Sequence, residues 1–123
     1  MTPEQGDFGA RLFAALANPS RLYIIEHLAK GPASVNEIAE AVGLKQSMTS
    51  QHLSSLLAVG VVVYEKAGNS RQYSLRGPRI PRILELVEEF YDIHLDSLRQ
   101  LLANHSNGAG VSETEQAQAT ALE

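Results

Sequence analysis

Apolar positions in VNEIAEAVGLKQSMTSQHLSSLL, residues 35 to 57, recur at helical rather than alternating spacings and predict two short helices joined at Gly43. In the first, Val35, Ile38, Ala39 and Val42 stand at i, i+3, i+4 and i+7, and Ser34 with Glu37 three residues on forms a capping box. Gly43 takes a positive φ without strain, and Leu44 can turn back into the small core between the helices, the layout of a helix-turn-helix. In the second helix Thr49, Leu53, Leu56 and Gly60 lie 4, 3 and 4 residues apart and are expected to face inward. Ser47, Ser50, Gln51 and Ser54 then line the outside.

That outer face is polar but uncharged. A helix face that is only solvated is usually built from Glu, Lys and Arg, which are good helix formers, whereas repeated serine lowers helix propensity. Short hydroxyl and amide groups suit base edges and phosphates: Ser can donate or accept at either kind of base edge, and Gln can bond adenine N6 and N7 together in the major groove. The competing reading, an ordinary serine-rich soluble helix, is weighed against the rest of the chain.

Upstream, residues 1–7 read as a disordered arm ending at Asp7, an N-cap for a helix carrying Phe8, Leu12, Phe13, Ala15 and Leu16. Asn18 and Pro19 start a second helix, to about Ala29, burying Leu22, Ile25 and Leu28. His27 in it has no second ligand at metal spacing and reads as structural or solvated. After Gly60 the period changes. Val61 to Tyr64 and Arg71 to Leu75 read as two antiparallel strands, with Tyr73 and Leu75 facing in, around a loop from Glu65 to Ser70. A hairpin directly after a recognition helix is a wing, and Lys66 and Arg71 flanking its loop can reach a phosphate backbone or a minor groove. The alternative is that these charges only deter edge pairing.

Pro78 and Pro81 open a last helix that runs to about Asn104. Its apolar seam, Ile80, Leu84, Val87, Tyr91, His94, Leu98, Leu101 and His105, alternates spacings of 4 and 3, a heptad rather than the wider stripe of a helix on one core. Ile83, Phe90 and Leu102 lie beside the seam, and such a helix needs a partner. A two-fold homodimer in which the first and last helices pack across the axis satisfies it. The domain is therefore expected over residues 8–105, with a small, polar, disordered tail over 106–123.

With 123 residues and 44% hydrophobic content, the chain holds one compact core. The fold class is mainly α with a small β-hairpin wing. The net charge of −4 argues against a nucleic-acid partner until it is divided along the chain. From Ser20 to Arg82 the basic residues Arg21, Lys30, Lys45, Lys66, Arg71, Arg76, Arg79 and Arg82 face only Glu26, Glu37, Glu40 and Glu65, a net of +4. From Ile83 onward Arg99 stands against eight carboxylates, a net of −7. The half with the two-helix unit can thus attract phosphates. The absence of cysteine excludes disulfides and thiolate metal sites. No apolar run or leader points to a membrane, so a cytoplasmic protein is expected. No nucleophile–base pair or glycine-rich phosphate loop points to an enzyme.

The order helix, helix, helix-turn-helix, wing, long final helix resembles the ArsR/SmtB family of bacterial transcriptional regulators. The resemblance covers residues 8 to 105 and is sharpest in ALANPSRLYIIEHLAKGPASVNEIAEAVGLKQSMTSQHLSSLLAVGVV, including Gln46, Ser47, Ser50, Gln51, His52, Leu53 and Gly60. It implies a homodimer that binds a near-palindromic double-stranded DNA operator, usually as a repressor released by an inducer. Lys45, Gln46, Ser47, Ser50, Gln51 and His52 would contact bases and phosphates, with Arg71 in the wing. Thiolate sensors of the family cannot apply. Its zinc, nickel or cobalt sensors use Asp-x-His on the last helix, then a His and a further acceptor from the partner subunit. Asp92, His94 and His105 match that pattern, while Gly108 stands at the fourth position and offers no side-chain ligand. The alternatives are that His94 is a polar seam residue, Asp92 is solvated and His105 ends the helix, and that the domain is a winged-helix interaction or dimerisation module without metal sensing.

Overall fold

The computed structural model describes residues 1 to 106. Its elements are α1 (Pro3–Leu16), α2 (Pro19–Leu28), α3 (Val35–Val42), α4 (Gln46–Ala58), β1 (Val62–Ala67), β2 (Ser70–Leu75) and α5 (Arg79–Ser106). By its internal contacts the chain divides into a body over residues 1–84 and the remainder of the last helix from Glu85.

In the body, α3 starts where the capping box places it. The Ser34 side chain accepts from the Glu37 N–H at 3.2 Å, and the Glu37 carboxylate accepts from the Ser34 N–H at 2.9 Å. That backbone bond, with the serine hydroxyl, holds the Glu37 carboxyl below its usual range. Gly43 ends α3 at φ 72°, and the Leu44 N–H returns to the Ala39 carbonyl at 3.0 Å. A Cβ at Gly43 would meet nothing within 4 Å, so only backbone strain opposes a side chain there. Gly43→Ala is expected to lower the unfolding free energy by about 1–2 kcal/mol. Denaturant titration checks this: the midpoint should fall with unchanged slope, and an unshifted midpoint would mean that the left-handed turn is not required.

The core is made by Leu16, Ile24, Ile25, Leu28, Ile38, Leu53, Leu56, Val61, Val62 and Tyr73, with Ala33 beneath them. Helix α2 touches α1, α3, α4 and β2, and it buries Ile24 beside Ile25 and Leu28, while Leu22 is only partly covered. A single apolar stripe underestimates a helix with neighbours on several sides. Thr49, Leu53 and Leu56 of α4 face inward as their spacing predicts.

Two boundaries in the body differ from the sequence reading, and one pairing adds to it. Helix α1 begins at Pro3 rather than after Asp7: Thr2 and Gln5 form a second capping box, and Pro3 occupies the first helical position, so residues 3 to 7 are helical and not an arm. The hairpin is longer and its loop shorter. Glu65 to Ala67 continue β1, and the turn is only Gly68 and Asn69, with positive φ supplied by Gly68. Lys66 and Arg71 are therefore a cross-strand pair rather than residues flanking a loop. Finally, Ala33 bonds Tyr73 in both directions, at 3.0 and 2.8 Å, which anchors β2 to the segment before α3.

Ile80, Ile83 and Leu84, at the start of α5, pack against the core. From Glu85 the helix continues unbroken through Ser106, past the end expected at about Asn104 and into the first residue of the tail expected to be disordered over 106–123; the rest of that tail lies outside the described residues. No residue of α5 is buried within the chain; Val87, Tyr91 and Leu102 are 56%, 57% and 67% exposed. Among the described residues no helix is long and apolar enough to cross a membrane.

Candidate nucleic-acid interface

With Thr49, Leu53 and Leu56 fixed in the core, the helical period turns the opposite side of α4 to solvent. Lys45, Gln46, Ser47, Ser50, Gln51 and Ser54 are all exposed. The same surface carries Met48, 42% exposed, which the sequence reading passed over and which suits apolar contact with a thymine methyl. Lys45 is the N-cap of α4 but makes no side-chain cap, and its carbonyl accepts from the Thr49 hydroxyl at 3.0 Å. Its ammonium, a donor only, cannot cap the helix N–H groups, and it adds to the positive charge at that end of the helix dipole.

The wing stands beside this face. Arg71 on β2 is exposed, with its guanidinium 4.2 Å from the centre of the Tyr64 ring. Tyr64 in turn stacks at a tilt on its cross-strand partner Tyr73, with centroids 5.7 Å apart. The aromatic pair fixes the cation's direction, and Tyr73 first and then Tyr64 favour its charged form further. Between wing and helix runs an open polar cleft of about 430 Å³, bounded by Gln46 and Ser50 of α4, Ser34 and Asn36 at the start of α3, and Asn69, Ser70 and Arg71. The fold thereby brings Gln46 and Ser50 of α4 and Arg71 of the wing, more than 20 residues further along the chain, to one trough. Every lining side chain is neutral or cationic, so the trough suits a chain of phosphates. Asn36, Asn69 and Ser70 were not singled out by the sequence; the Gly68–Asn69 turn is the only signal that pointed near them.

His52 differs from its neighbours. It is 8% exposed, on the flank of the buried stripe, and its Nδ1 accepts from Arg21 Nε at 3.2 Å. Burial first, and then the Arg21 charge, push its pKa below the usual imidazole range. The neutral ring therefore contributes fully to stability above about pH 6.5, and the contribution weakens as pH falls below that, because the unfolded chain takes up the proton first.

On α5, Asp92 and His105 are exposed and His94 is half-buried. Among the described residues of one chain no group of three potential ligands converges. Helix geometry explains this: eleven residues separate His94 from His105 by roughly 16 Å along the axis, although they stand within about 20° of one face. The donor types, two imidazoles and a carboxylate, fit zinc, nickel or cobalt, and they do not fit the softer ions that need thiolates.

Residues 18–64 match the bacterial regulatory protein arsR family. The HTH-type transcriptional regulator NmtR of Mycobacterium tuberculosis is 39% identical over 101 residues, covering 82% of this chain and 81% of that protein. Among solved structures, the homodimeric winged helix-turn-helix DNA-binding domain of Mb0332 from Mycobacterium bovis is similar with a TM-score of 0.69 at 32% identity, over 78% of this chain and 92% of that one. The antimony-specific transcriptional repressor AntR is similar with a TM-score of 0.65 at 30% identity, over 74% of this chain and 83% of that one. With a helix-turn-helix presenting a polar face, a wing beside it and a relative 39% identical over four-fifths of its length, the chain belongs to the ArsR/SmtB family of winged helix-turn-helix, DNA-binding transcriptional regulators and is not an enzyme.

Proposed function

We propose that the protein acts in the cytoplasm as a homodimeric repressor of a near-palindromic operator. Each α4 enters a major-groove half-site, and Gln51, Ser47 and Ser50 read base edges. Lys45, Gln46 and Arg71 hold the backbone that passes through the cleft, and His52 stands at its flank. The observation that carries this reading is the exposed, uncharged α4 face set beside the aromatic-supported Arg71 across a trough without carboxylates. The effector we propose is zinc, nickel or cobalt. It would be held in two equivalent sites by Asp92 and His94 of one subunit and the other subunit's His105, with water or another group replacing the donor that Gly108 lacks. Two antiparallel α5 helices crossing between Arg99 and Gln100 would bring each His94 opposite the other's His105, which one helix alone cannot do. A bound ion there would supply a positive charge and a rigid link between subunits.

Titration of operator and random DNA across salt concentrations tests the DNA assignment. Log affinity should fall linearly with log salt, by about 0.9 per phosphate neutralised. Gln51→Ala should cost about 1–3 kcal/mol on the operator and almost nothing on random DNA. Equal losses on both would remove Gln51 from base reading, and a wild-type protein without preference for any sequence would leave only an interaction module.

A further inference from the structure

Arg21 was assigned no role by its position in the chain, yet its side chain ties α2 to two other helices of the body. Its backbone N–H donates to the Asn18 side chain that caps α2, at 3.3 Å. Its guanidinium donates through Nη1 to the carbonyl of Ala15, near the end of α1, at 3.0 Å, and through Nε to His52 Nδ1 on α4. One rigid planar group thus spans α1, α2 and the recognition helix.

The bond to His52 also decides where the imidazole proton sits. A guanidinium is a donor only and keeps its charge throughout the accessible pH range. Nδ1 must therefore be the bare acceptor, and the neutral ring carries its hydrogen on Nε2. No buried side-chain nitrogen or oxygen among the described residues lacks a partner, and the ring's bond is at Nδ1, so Nε2–H is the part of the ring open to solvent. His52 follows Gln51 directly, about 100° around α4 from it, on the border between the outward face and the core. The flank of a recognition helix is where the DNA backbone passes, and a neutral N–H there is a phosphate donor.

We propose that Arg21 is a positioning residue for DNA binding, which orients His52 and fixes its tautomer so that Nε2–H donates to one phosphate of the operator backbone. The proposal rests on α4 being the DNA-reading helix. It gives Arg21 no phosphate of its own: its charge is spent inside the protein on Ala15 and His52.

The test is operator affinity against salt for Arg21→Met, His52→Asn, His52→Gln and the Arg21→Met/His52→Asn double variant, each with a thermal melt. Asn keeps an acceptor where Nδ1 was, so His52→Asn holds Arg21 and the fold but loses the donor; Gln restores an N–H near the position of Nε2. Arg21→Met and His52→Asn should each weaken operator binding about tenfold, the usual scale of a hydrogen bond to a charged group. His52→Gln should recover part of the loss. Neither single variant should alter the slope of log affinity against log salt, because neither residue releases a counterion. The double variant should bind no worse than the weaker single one, since both remove the same contact. A slope reduced by about one in Arg21→Met would place the guanidinium itself on a phosphate and overturn the proposal. Additive losses, or wild-type binding by His52→Asn, would overturn it as well. Failure of the DNA reading itself would show separately, as a wild-type protein that does not prefer its operator to random DNA.

Discussion

Leu98→Asp is expected to leave the protein as monomers or aggregates and to weaken operator binding by about 10²–10⁴-fold. The last helix contributes Ile80, Ile83 and Leu84 to the core, but from Glu85 onward none of its residues is buried within the chain: Leu95, Leu98 and Leu101 are half-buried, and Phe90 and Ile93 are 61% and 62% exposed, beside Val87, Tyr91 and Leu102. A contiguous apolar surface of this kind marks an interface, and its heptad spacing fits another helix better than a flat partner. Leu98 lies near the centre of the seam, close to where two antiparallel copies would cross, so a carboxylate there would be desolvated against its own copy. In the proposed dimer, parting the subunits would separate two recognition helices placed to reach half-sites about one helical turn apart. The operator then binds one subunit at a time, without the effective concentration that linkage provides, which sets the size of the effect. Sedimentation of the variant and an operator titration read both consequences. A variant that stays dimeric and binds normally would mean that the helices associate elsewhere.

How far the chain could be read in advance depended on whether the signal was local. The capping box at Ser34 and Glu37, the turn at Gly43 and the inward set Thr49, Leu53 and Leu56 each lie within a few residues of one another, and the structure keeps all of them. The capping box at Thr2 and Gln5 is just as local, but Gly6 and Gly9 and a thin apolar pattern disguised the helix it starts. The hairpin was misjudged for another reason: beyond Tyr64 both faces of β1 are in solvent, so Glu65 and Lys66 look like loop while their backbones pair. The pairing of Ala33 with Tyr73 spans 40 residues and leaves no periodic trace. His52 was half legible. Thr49, His52, Leu53 and Leu56 repeat the i, i+3, i+4, i+7 template that placed Val35, Ile38, Ala39 and Val42 on one face, and a polar ring at the second position hid the match. Its partner, 31 residues away on α2, could come only from the fold. The cleft has the same origin, since α3, α4 and the wing meet there through tertiary packing alone.

Zinc, nickel or cobalt is expected to bind two sites per dimer and to change operator affinity by about 5- to 150-fold, a coupling of about 1–3 kcal/mol. The direction expected of a repressor released by its inducer is weaker binding with metal. Linkage requires that operator DNA weaken metal binding by the same factor, so the two titrations check each other. His94→Ala removes one of three protein donors and should lower metal affinity by more than the roughly 10–100-fold that loss of an outer-shell partner costs. It should also abolish the coupling while keeping metal-free operator binding, because alanine leaves that seam position apolar, unlike the carboxylate of Leu98→Asp. Mixing subunits gives a sharper check of the shared site. His94→Ala and His105→Ala homodimers each lack both sites, whereas a heterodimer of the two retains one intact site, formed by Asp92 and His94 of one subunit and His105 of the other. Equimolar mixing makes about half of the dimers heterodimers, so recovery of about a quarter of the wild-type metal capacity would support ligands drawn from both subunits. No recovery, with tight binding kept by either homodimer, would place the ion on residues of one chain, and coupling that survives in His94→Ala would put the sensing site elsewhere in the molecule.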